Sequence, residues 1–390
     1  MLAFAESEYR ERLRRTREQM ADRGIDLLLC SHPASMCWLT GYDGWSFYVH
    51  QLVMVPVDAS RDPIWVGRGM DANAARVTTW LADDHIIPYS DDYVHSATKH
   101  PLEFVADLVR QGGWDRSRIG VELDTFYYTG RSHTSLTGAL PNATVVDATK
   151  VVPTVKAIKS DNEIAFMERA ARIVERAMRA AVDGVAAGRR QCDTAADIFH
   201  AQISGTAEFG GDYPAIVPML PSGPGTNTPH LTWSDAPFRN GEATIIEIAG
   251  CYKRYNCPMA RTVQLGKPPQ KLADTAKVVV EGLHSAMEAA RPGNTAEQIE
   301  AAWRTTIEKH GIIKESRLGY STGLNYPPDW GEGGLSIRPG DTTELQENMT
   351  LHIIPGIWMD DWGLEISECI QVTPQGGRAF ADFERNLIVK

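Results

Sequence analysis

The pattern of the chain changes at residues 156–185, KAIKSDNEIAFMERAARIVERAMRAAVDGV. Ser160 and Glu163 have the spacing of a capping box, in which each side chain bonds the backbone N–H of the other at the start of a helix. Apolar residues then recur at helical spacing as far as Gly184. This stretch predicts a long amphipathic helix that opens a second domain, with the boundary at about residue 154.

The residues on the two sides of this boundary predict different folds. Within 1–154, short apolar runs such as IDLLLCS and QLVMVPV alternate with helical stretches such as PLEFVADLVRQGG. That alternation indicates a smaller α/β domain whose sheet is covered by helices. Within 155–390, two further helical patterns accompany the strand-like runs AIVPML, EATIIEIAGCYKRY, ARTVQLG, MTLHIIPG and SECIQVT. Helices backing an antiparallel sheet make the second domain α+β.

Charge and cysteine content exclude several classes of partner. The formal net charge is −11, which disfavours nucleic acid and anionic membrane, because affinity for both depends on clustered Lys and Arg. A small cationic or zwitterionic ligand is compatible with this net charge.

The six cysteines show no CxxC pairing, as is typical of reduced thiols in a cytoplasmic protein. The first residues, MLAFAESEYRERLRRTREQM, lack the apolar core of a signal peptide, and no apolar run is long enough to span a membrane.

Five phrases occur in the order and spacing of the creatinase/aminopeptidase family. SMCWLTGY (35–42) is similar to a strand and turn of the family's N-terminal domain, and SGPGTNTPH (222–230) resembles the loop that carries a functional histidine. GYSTGL (319–324), HIIPG (352–356) and WGLEISECIQVT (362–373) resemble three later motifs of the catalytic domain. The resemblance implies a pita-bread catalytic domain, a smaller N-terminal domain, and a homodimer in which each N-terminal domain leans over the partner's site.

The metal-binding positions of this family carry other residues in this chain. Metal-dependent members use two Asp, one His and two Glu, a donor set that suits a pair of divalent ions. The resemblance places these positions at Glu247, Pro258, Tyr320, Ile354 and Ser367. One carboxylate does not hold a two-metal centre, and a slip of register in the last hairpin would restore only one more. The sequence therefore predicts no metal cofactor.

Four residues are the predicted catalytic groups. His230 stands where the family, including its metal-free branch, carries a functional histidine, and an imidazole can protonate a leaving nitrogen. Its alternative is a hydrogen-bonded structural role. Glu247 ends a run of apolar residues, so its carboxylate is expected in a partly dry pocket; a salt bridge to a nearby Arg261 or Lys253 is the alternative. Tyr320 and Glu365 complete the set, with Glu365 at a position where the family has Arg.

Five further residues are predicted to bind the substrate. Trp330 and Trp362 lie in motif loops next to acidic residues, and an aromatic face beside a carboxylate suits a delocalised cation. Asp329 is the acid beside Trp330, and Asp361 is the acid beside Trp362. Glu368 lies near Glu365 in the closing hairpin, and a solvated or backbone-capping role is its alternative. In the N-terminal domain, Phe47 lies where creatinase places an aromatic ring over the partner subunit's substrate. Val49 stands where creatinase has a guanidinium group, which makes creatine a poor candidate.

Four segments resemble a metal-free branch of the family that opens the ring of a cyclic amidine, namely TPHLTWSDAPF, YNCPMARTV, LNYPPDWGE and MDDWGLEISE. In such a reaction Glu247 either attacks the amidine carbon or positions the attacking water. His230 then protonates the departing nitrogen, Tyr320 bonds the tetrahedral centre, and Glu365 anchors the amidinium. The alternatives are another amidine or guanidine hydrolase, a lyase on the same fold, or an inactive protein that binds a partner through its cleft.

Overall fold

The predicted capping box forms at the start of helix α7 (Asp161–Gly184). The backbone N–H of Glu163 donates to Ser160 Oγ at 3.2 Å, and Ser160 N–H donates to Glu163 Oε2 at 2.9 Å. The computed structural model describes residues 2–390, which divide into two compact units: the residues up to Lys156, and Ala157–Lys390. Among these residues no helix is long and apolar enough to cross a membrane.

The first unit is built on one six-stranded mixed sheet. Its strands are β1 (Leu27–Cys30), β2 (Leu52–Pro56), β3 (Ile64–Arg68), β4 (Ile86–Tyr89), β5 (Arg118–Val121) and β6 (Thr144–Asp147). They lie in the order β4-β3-β2-β1-β5-β6, and β2 is antiparallel to both its neighbours. Its helices are α1 (Glu6–Asp22), α2 (Pro33–Thr40), α3 (Ala72–Thr78), α4 (Pro101–Gln111), α5 (Gly130–Ala139) and α6 (Val151–Lys156). The predicted alternation of strands and helices is confirmed.

One motif of this unit has a different structure from the one predicted. Residues 35–42, SMCWLTGY, were expected to form a strand and turn, but most of them belong to helix α2. Pro33 occupies the first turn of that helix, where its missing N–H costs nothing, and His32 Nδ1 accepts from the N–H of Ala34 at 3.1 Å. Gly41, at φ +87°, then ends the helix in the left-handed conformation.

The second unit packs helices against antiparallel strands, as predicted, although one of its four helices (Gln191–Ser204) was not predicted. The helices are α7, α8 (Gln191–Ser204), α9 (Gln270–Ala289) and α10 (Ala296–Glu308). The long strands β7 (Ala243–Tyr252) and β8 (Tyr255–Gln264) form a hairpin that β16 (Ile388–Val389) extends. A five-stranded sheet has the order β10-β9-β11-β14-β15, and β12 pairs with β13. The bounds are β9 (Gly319–Thr322), β10 (Gly331–Ile337), β11 (Thr350–Ile353), β12 (Gly356–Trp358), β13 (Gly363–Glu365), β14 (Glu368–Thr373) and β15 (Gly376–Ala379).

Close approach of helix α7 to the hairpin fixes strand β7. A Cβ added to Gly250 would lie 2.0 Å from the carbonyl oxygen of Ala170 and 2.5 Å from the backbone nitrogen of Val174. Only glycine permits that distance, so the helix backbone rests directly on the strand. Strand β7 is thereby held in place along its length, and it carries Glu247.

The segment AIVPML (215–220) is not the strand that was predicted. It makes one isolated bridge, between Met219 and Glu247. Pro214, Pro218 and Pro221 interrupt or flank the segment, and each lacks the N–H that a continuous ladder requires. The segment therefore touches strand β7 at the position of Glu247 and does not extend the sheet.

Candidate active site

A cavity of about 510 Å³ lies within Ala157–Lys390. Five of the predicted site residues line it: His230, Glu247, Tyr320, Asp329 and Glu365. Strands β7, β9 and β13 supply Glu247, Tyr320 and Glu365, while His230 and Asp329 come from loops. Residues from distant parts of the sequence thus meet at one place, with His230 exposed and Glu247 and Glu365 buried.

Glu247 is fixed by its backbone and is not paired with a cation. Its N–H donates to the carbonyl of Met219 at 3.1 Å, and the N–H of Met219 donates back at 3.0 Å. No ion pair to its carboxylate occurs among residues 2–390, and Arg261 bonds Glu368 instead. The alternative of a salt bridge to Arg261 or Lys253 is therefore wrong, and the carboxylate lines the cavity.

Glu365 is a second buried carboxyl group in the same cavity. Its backbone is held by Thr262, whose hydroxyl accepts from the N–H of Glu365 and lies 2.9 Å from its carbonyl oxygen. Within the described chain, both side-chain oxygens are buried and accept no hydrogen bond. A buried carboxylate in that situation loses its hydration without compensation, so it requires a proton or a cation.

Burial raises the pKa values of the three acidic groups in this cavity. Burial raises the pKa of Glu247 well above its ordinary value, and the negative charges of Glu365 and Asp329 raise it further. Burial likewise raises the pKa of Glu365 to about 7, against an opposing effect of Lys314. The pKa of Asp329 is also raised by burial, although the N–H of Gly331 donates to it at 2.9 Å. A cavity lined by such groups favours a ligand that brings positive charge.

Two cationic residues that the sequence analysis did not select also line the cavity. Lys314 donates to Ser316 Oγ at 2.7 Å and to the carbonyl of Gly356 at 3.0 Å, and burial lowers its pKa to about 8. Arg317 is exposed, and its guanidinium carbon lies 4.5 Å from the centroid of the Tyr320 ring. Both belong to KESR, a charged stretch with the composition of a solvated loop. Nothing in the sequence pattern distinguished it from one.

Trp330 contacts a residue of the cavity wall but does not itself line the cavity. It is fully buried, and its indole Nε1–H donates to the Tyr320 hydroxyl oxygen at 2.7 Å. The expectation that Trp330 contacts substrate is corrected by this placement, because it does not line the cavity. Burial, with the charges of Glu247 and Asp329, holds the pKa of Tyr320 well above its ordinary value, so its hydroxyl is neutral.

Trp362 and Glu368 are also placed away from this cavity. Trp362 lines a separate cavity of about 670 Å³, and Lys271 Nζ lies 5.0 Å from its ring centroid. Glu368 is buried against Arg261 at 2.5 Å and Arg385 at 3.1 Å. An acid already paired with two guanidinium groups serves the core of the unit. The predicted contacts of both residues with substrate are therefore corrected.

Phe47 belongs to the first unit. The centroid of its ring lies 4.6 Å from the ring centroid of Trp45 and 5.7 Å from that of Tyr127. The half-buried ring thus stands in an aromatic cluster. Its predicted role over the site of a partner subunit stays a prediction.

The residues at the family's metal positions do not fit a pair of divalent ions. Pro258 and Ile354 offer no ligand atom, Tyr320 is a neutral hydroxyl, and the hydroxyl of Ser367 is already held in hydrogen bonds. Glu247 is the one carboxylate of the five. Across residues 2–390, no group of three or more His, Cys, Asp or Glu is arranged to hold a metal ion.

Comparison with known proteins identifies the family. Residues 165–374 match metallopeptidase family M24, and residues 12–158 match the creatinase/prolidase N-terminal domain. The chain belongs to the M24 family. Two solved M24-like structures share its fold: the prolidase from Thermococcus sibiricus (TM-score 0.85, 20% identity, 99% of this chain and 100% of that one) and the dipeptidase PepE from Mycobacterium ulcerans (TM-score 0.82, 23% identity, 99% of both). The predicted pita-bread fold is confirmed.

A more similar M24 relative is the ectoine hydrolase of Halomonas elongata. It is 44% identical over 396 residues, which cover 100% of this chain and 99% of that protein. The expected resemblance to the branch of the family that opens a cyclic amidine is confirmed by this relative, and so is the enzyme class, a hydrolase.

Proposed function

We propose that this M24 protein hydrolyses ectoine without a metal ion and opens its ring to N-acetyl-2,4-diaminobutyrate. The observation that carries the proposal is the cavity in which the carboxyl groups of Glu247, Glu365 and Asp329 meet. Together with the similarity to the Halomonas elongata enzyme, this acidity points to a substrate that supplies its own positive charge. The substrate we propose is a small zwitterion.

The chemistry of ectoine matches these groups. Its amidinium spreads one positive charge over two nitrogens, and the carbon between them is the electrophile. Addition of one water molecule to that carbon and cleavage of one carbon–nitrogen bond leave an amide and an amine. A cationic electrophile gains less from a metal Lewis acid than a neutral peptide carbonyl does, because it is already polarised.

Glu247 is the group we assign to the addition step. Two separate hypotheses describe it: its carboxylate attacks the amidine carbon and forms an acyl-enzyme, or it positions and deprotonates the attacking water. In both, the leaving nitrogen receives a proton from His230, which lines the same cavity on its exposed side. Tyr320 donates a hydrogen bond to an oxygen or nitrogen atom bonded to the tetrahedral carbon.

Charged residues that line the cavity orient the substrate in this proposal. Glu365, whose buried oxygens accept no hydrogen bond within the described chain, is the anchor we assign to the amidinium. Arg317, which is exposed on the same cavity, is assigned to the substrate carboxylate. Ectoine would then lie with its cationic end inward and its anionic end toward Arg317. Asp329 adds negative charge beside the amidinium.

The proposal extends to the assembly and the compartment. As the resemblance to creatinase implies, we propose a homodimer in which Phe47 of one protomer covers the substrate in the other. A cytoplasmic location is supported by the six cysteines of the sequence, which show no CxxC spacing and no dense disulfide framework. Neither nucleic acid nor membrane is a proposed partner, given the net charge of −11.

Ring opening can be followed directly by proton NMR of ectoine incubated with the purified protein. The Glu247→Ala variant should lose activity by roughly 10²-fold or more, as expected for loss of a catalytic base or nucleophile. Glu242→Ala is the matched control, because Glu242 immediately precedes the same strand but lines the other cavity. Retained activity in Glu247→Ala, with an unchanged circular dichroism spectrum, would remove Glu247 from its role.

A further inference from the structure

We propose that Ser367, His352 and Trp330 are positioning residues that direct the hydroxyl hydrogen of Tyr320 into the cavity. The catalytic use of that hydrogen rests on the proposed function, whereas its direction follows from the hydrogen bonds alone. None of the three positioning residues lines the cavity. They act on the substrate through Tyr320.

The four side chains form a continuous hydrogen-bonded path. The backbone N–H of Ala260 donates to Ser367 Oγ at 2.8 Å, and Ser367 Oγ lies 2.8 Å from His352 Nε2. His352 Nδ1 lies 3.4 Å from the Tyr320 oxygen, which Trp330 Nε1 reaches at 2.7 Å. His352 is fully buried, and burial lowers its pKa to about 3, so the ring is neutral and carries one N–H.

The partners at the two ends of the path decide which nitrogen carries that hydrogen. With hydrogen on Nδ1, His352 donates to the Tyr320 oxygen, and Nε2 accepts from the Ser367 hydroxyl. The oxygen of Ser367 still accepts from Ala260. Every polar hydrogen from Ala260 to His352 then has an acceptor, and the one hydrogen left over belongs to the Tyr320 hydroxyl, which lines the cavity, where solvent accepts it.

The other tautomer leaves one hydrogen without an acceptor. With hydrogen on Nε2, the Ser367 oxygen accepts from both His352 and Ala260, and its own hydroxyl hydrogen finds no other acceptor among residues 2–390. Ser367 is fully buried, so water does not replace the missing partner. An unsatisfied buried donor is unfavourable, and the Nδ1–H tautomer is therefore the stable one.

The direction of the Tyr320 hydrogen follows. An indole N–H only donates, so Trp330 occupies one lone pair of the Tyr320 oxygen, and His352 Nδ1–H occupies the other. The hydroxyl hydrogen is left to point into the cavity, where no described side chain accepts it. It therefore awaits an acceptor on the ligand. In the proposed reaction that acceptor is an oxygen or nitrogen atom bonded to the tetrahedral carbon.

Two residues of the path stand at positions where metal-dependent members of the family have metal ligands. Tyr320 and Ser367 occupy positions at which metal-dependent relatives have a His and a Glu ligand, and His352 joins them. Two metal ligands have thus been replaced by the ends of a neutral chain of hydrogen bonds. The chain adds no negative charge that would compete with Glu247 for the cation.

NMR of ¹⁵N-histidine-labelled full-length protein tests the tautomer without any substrate. Two-bond ¹H–¹⁵N correlations distinguish the two neutral tautomers, and a His352→Gln sample identifies the His352 signals. The Nδ1–H form is expected, with a shift toward the Nε2–H form in Ser367→Ala. A wild-type ring with its hydrogen on Nε2 overturns the inference.

A double-mutant cycle tests the link to Tyr320. Tyr320→Phe should lower kcat by roughly 10²-fold, as loss of one preorganised donor does, and Ser367→Ala by at least about tenfold, with little change in KM. Combining the two should cost no more than Tyr320→Phe alone, because both act on the same hydrogen. Multiplied effects would show that Ser367 acts elsewhere and would overturn the inference.

Ser321→Ala is the matched control. Ser321 is a buried serine next to Tyr320 on strand β9, and its Oγ accepts from the N–H of Gly334 at 3.1 Å on the opposite face. Its kcat should equal that of the wild type. Failure of the wild type to open ectoine would end the proposed function and leave the NMR test valid. Turnover combined with the wrong tautomer would end this inference alone.

Discussion

The carboxyl groups of Glu247 and Glu365 are buried in one cavity, and each affects the protonation of the other. Two such groups titrate as a pair, so their apparent pKa values belong to the pair and not to one residue. The pKa of Glu365 is raised to about 7, and that of Glu247 is raised in part by Glu365. The pair therefore holds protons that a cationic substrate must displace.

The first prediction concerns the pH dependence of kcat/KM. Raising the pH ionises the pair and creates the charge that receives the amidinium, so kcat/KM should rise as the pH increases through about 7. In Glu365→Gln the neighbouring negative charge is lost and the pKa of Glu247 falls, so the rising limb should move to lower pH at a reduced maximum. The measurement is a pH profile of both proteins. A limb that does not move, or that moves to higher pH, contradicts the account.

The second prediction concerns Arg317 and the substrate carboxylate. Arg317→Met should raise KM for ectoine by roughly tenfold or more and lower kcat less, because a charge-assisted contact that orients the substrate is lost. For 2-methyl-tetrahydropyrimidine, the same ring without the carboxylate, the variant should equal the wild type. Arg338→Met is the control. Arg317 and Arg338 both donate to Ser336 Oγ, at 3.4 Å and 3.2 Å, but Arg338 does not line the cavity. Equal losses on both ligands would rule out the assignment.

Sequence patterns located only part of the site. His230, Glu247 and Tyr320 could be predicted because they stand in motifs whose order along the chain is fixed by the fold. Lys314 and Arg317 could not, since a charged loop has the same composition whether or not it borders a cavity. His352 could not either: its function depends on the distances to two hydroxyl groups from other strands, which no local pattern encodes.

At the scale of elements, contact between helix α7 and strand β7 positions Glu247. The capping box that starts the helix was visible in the sequence, because capping depends on residues three positions apart. The close approach at Gly250 was not, since a glycine in a strand has several explanations until its neighbour is known. The same limit applies to SMCWLTGY (35–42) and AIVPML (215–220). The apolar residues of both segments favoured a strand. A helix cap determined the structure of the first segment, and prolines determined that of the second.

The third prediction concerns this helix–strand contact. Gly250→Ala would place a methyl group 2.0 Å from the backbone of Ala170, so strand and helix must separate. The free energy of unfolding should fall by about 1–3 kcal/mol or more, and ring opening should slow because Glu247 moves with its strand. Urea unfolding followed by circular dichroism measures the first effect. Gly138→Ala in helix α5, where nothing lies within 4 Å, should leave stability equal or higher.

At the scale of the whole molecule, the described chain forms two compact units, and Phe47 and Glu247 lie in different ones. The proposed homodimer assigns them to one site by pairing Phe47 of one protomer with Glu247 of the other. Sequence resemblance suggested this arrangement, and it is a property of the assembly that no single chain displays.

The fourth prediction tests the arrangement by subunit mixing. Glu247→Ala and Phe47→Ala homodimers should each have low activity at limiting ectoine. Exchange of subunits at a one-to-one ratio gives half heterodimers, each with one intact site if Phe47 acts across the interface, so about a quarter of wild-type activity should return. No recovery in a mixture shown to contain heterodimers would place Phe47 in its own protomer's site or outside any site.

The central claim is that the acidic cavity opens a cationic ring without a metal ion. The most direct measurement is proton NMR of ectoine with protein dialysed against EDTA, with the metal content of the same sample determined by mass spectrometry. The account predicts that ring opening continues at the rate of untreated protein with far less than one metal ion per chain, and that Mn²⁺ or Co²⁺ does not increase it. Turnover that stops in EDTA and returns with Mn²⁺, or hydrolysis of an Xaa-Pro dipeptide in place of ectoine, would contradict it.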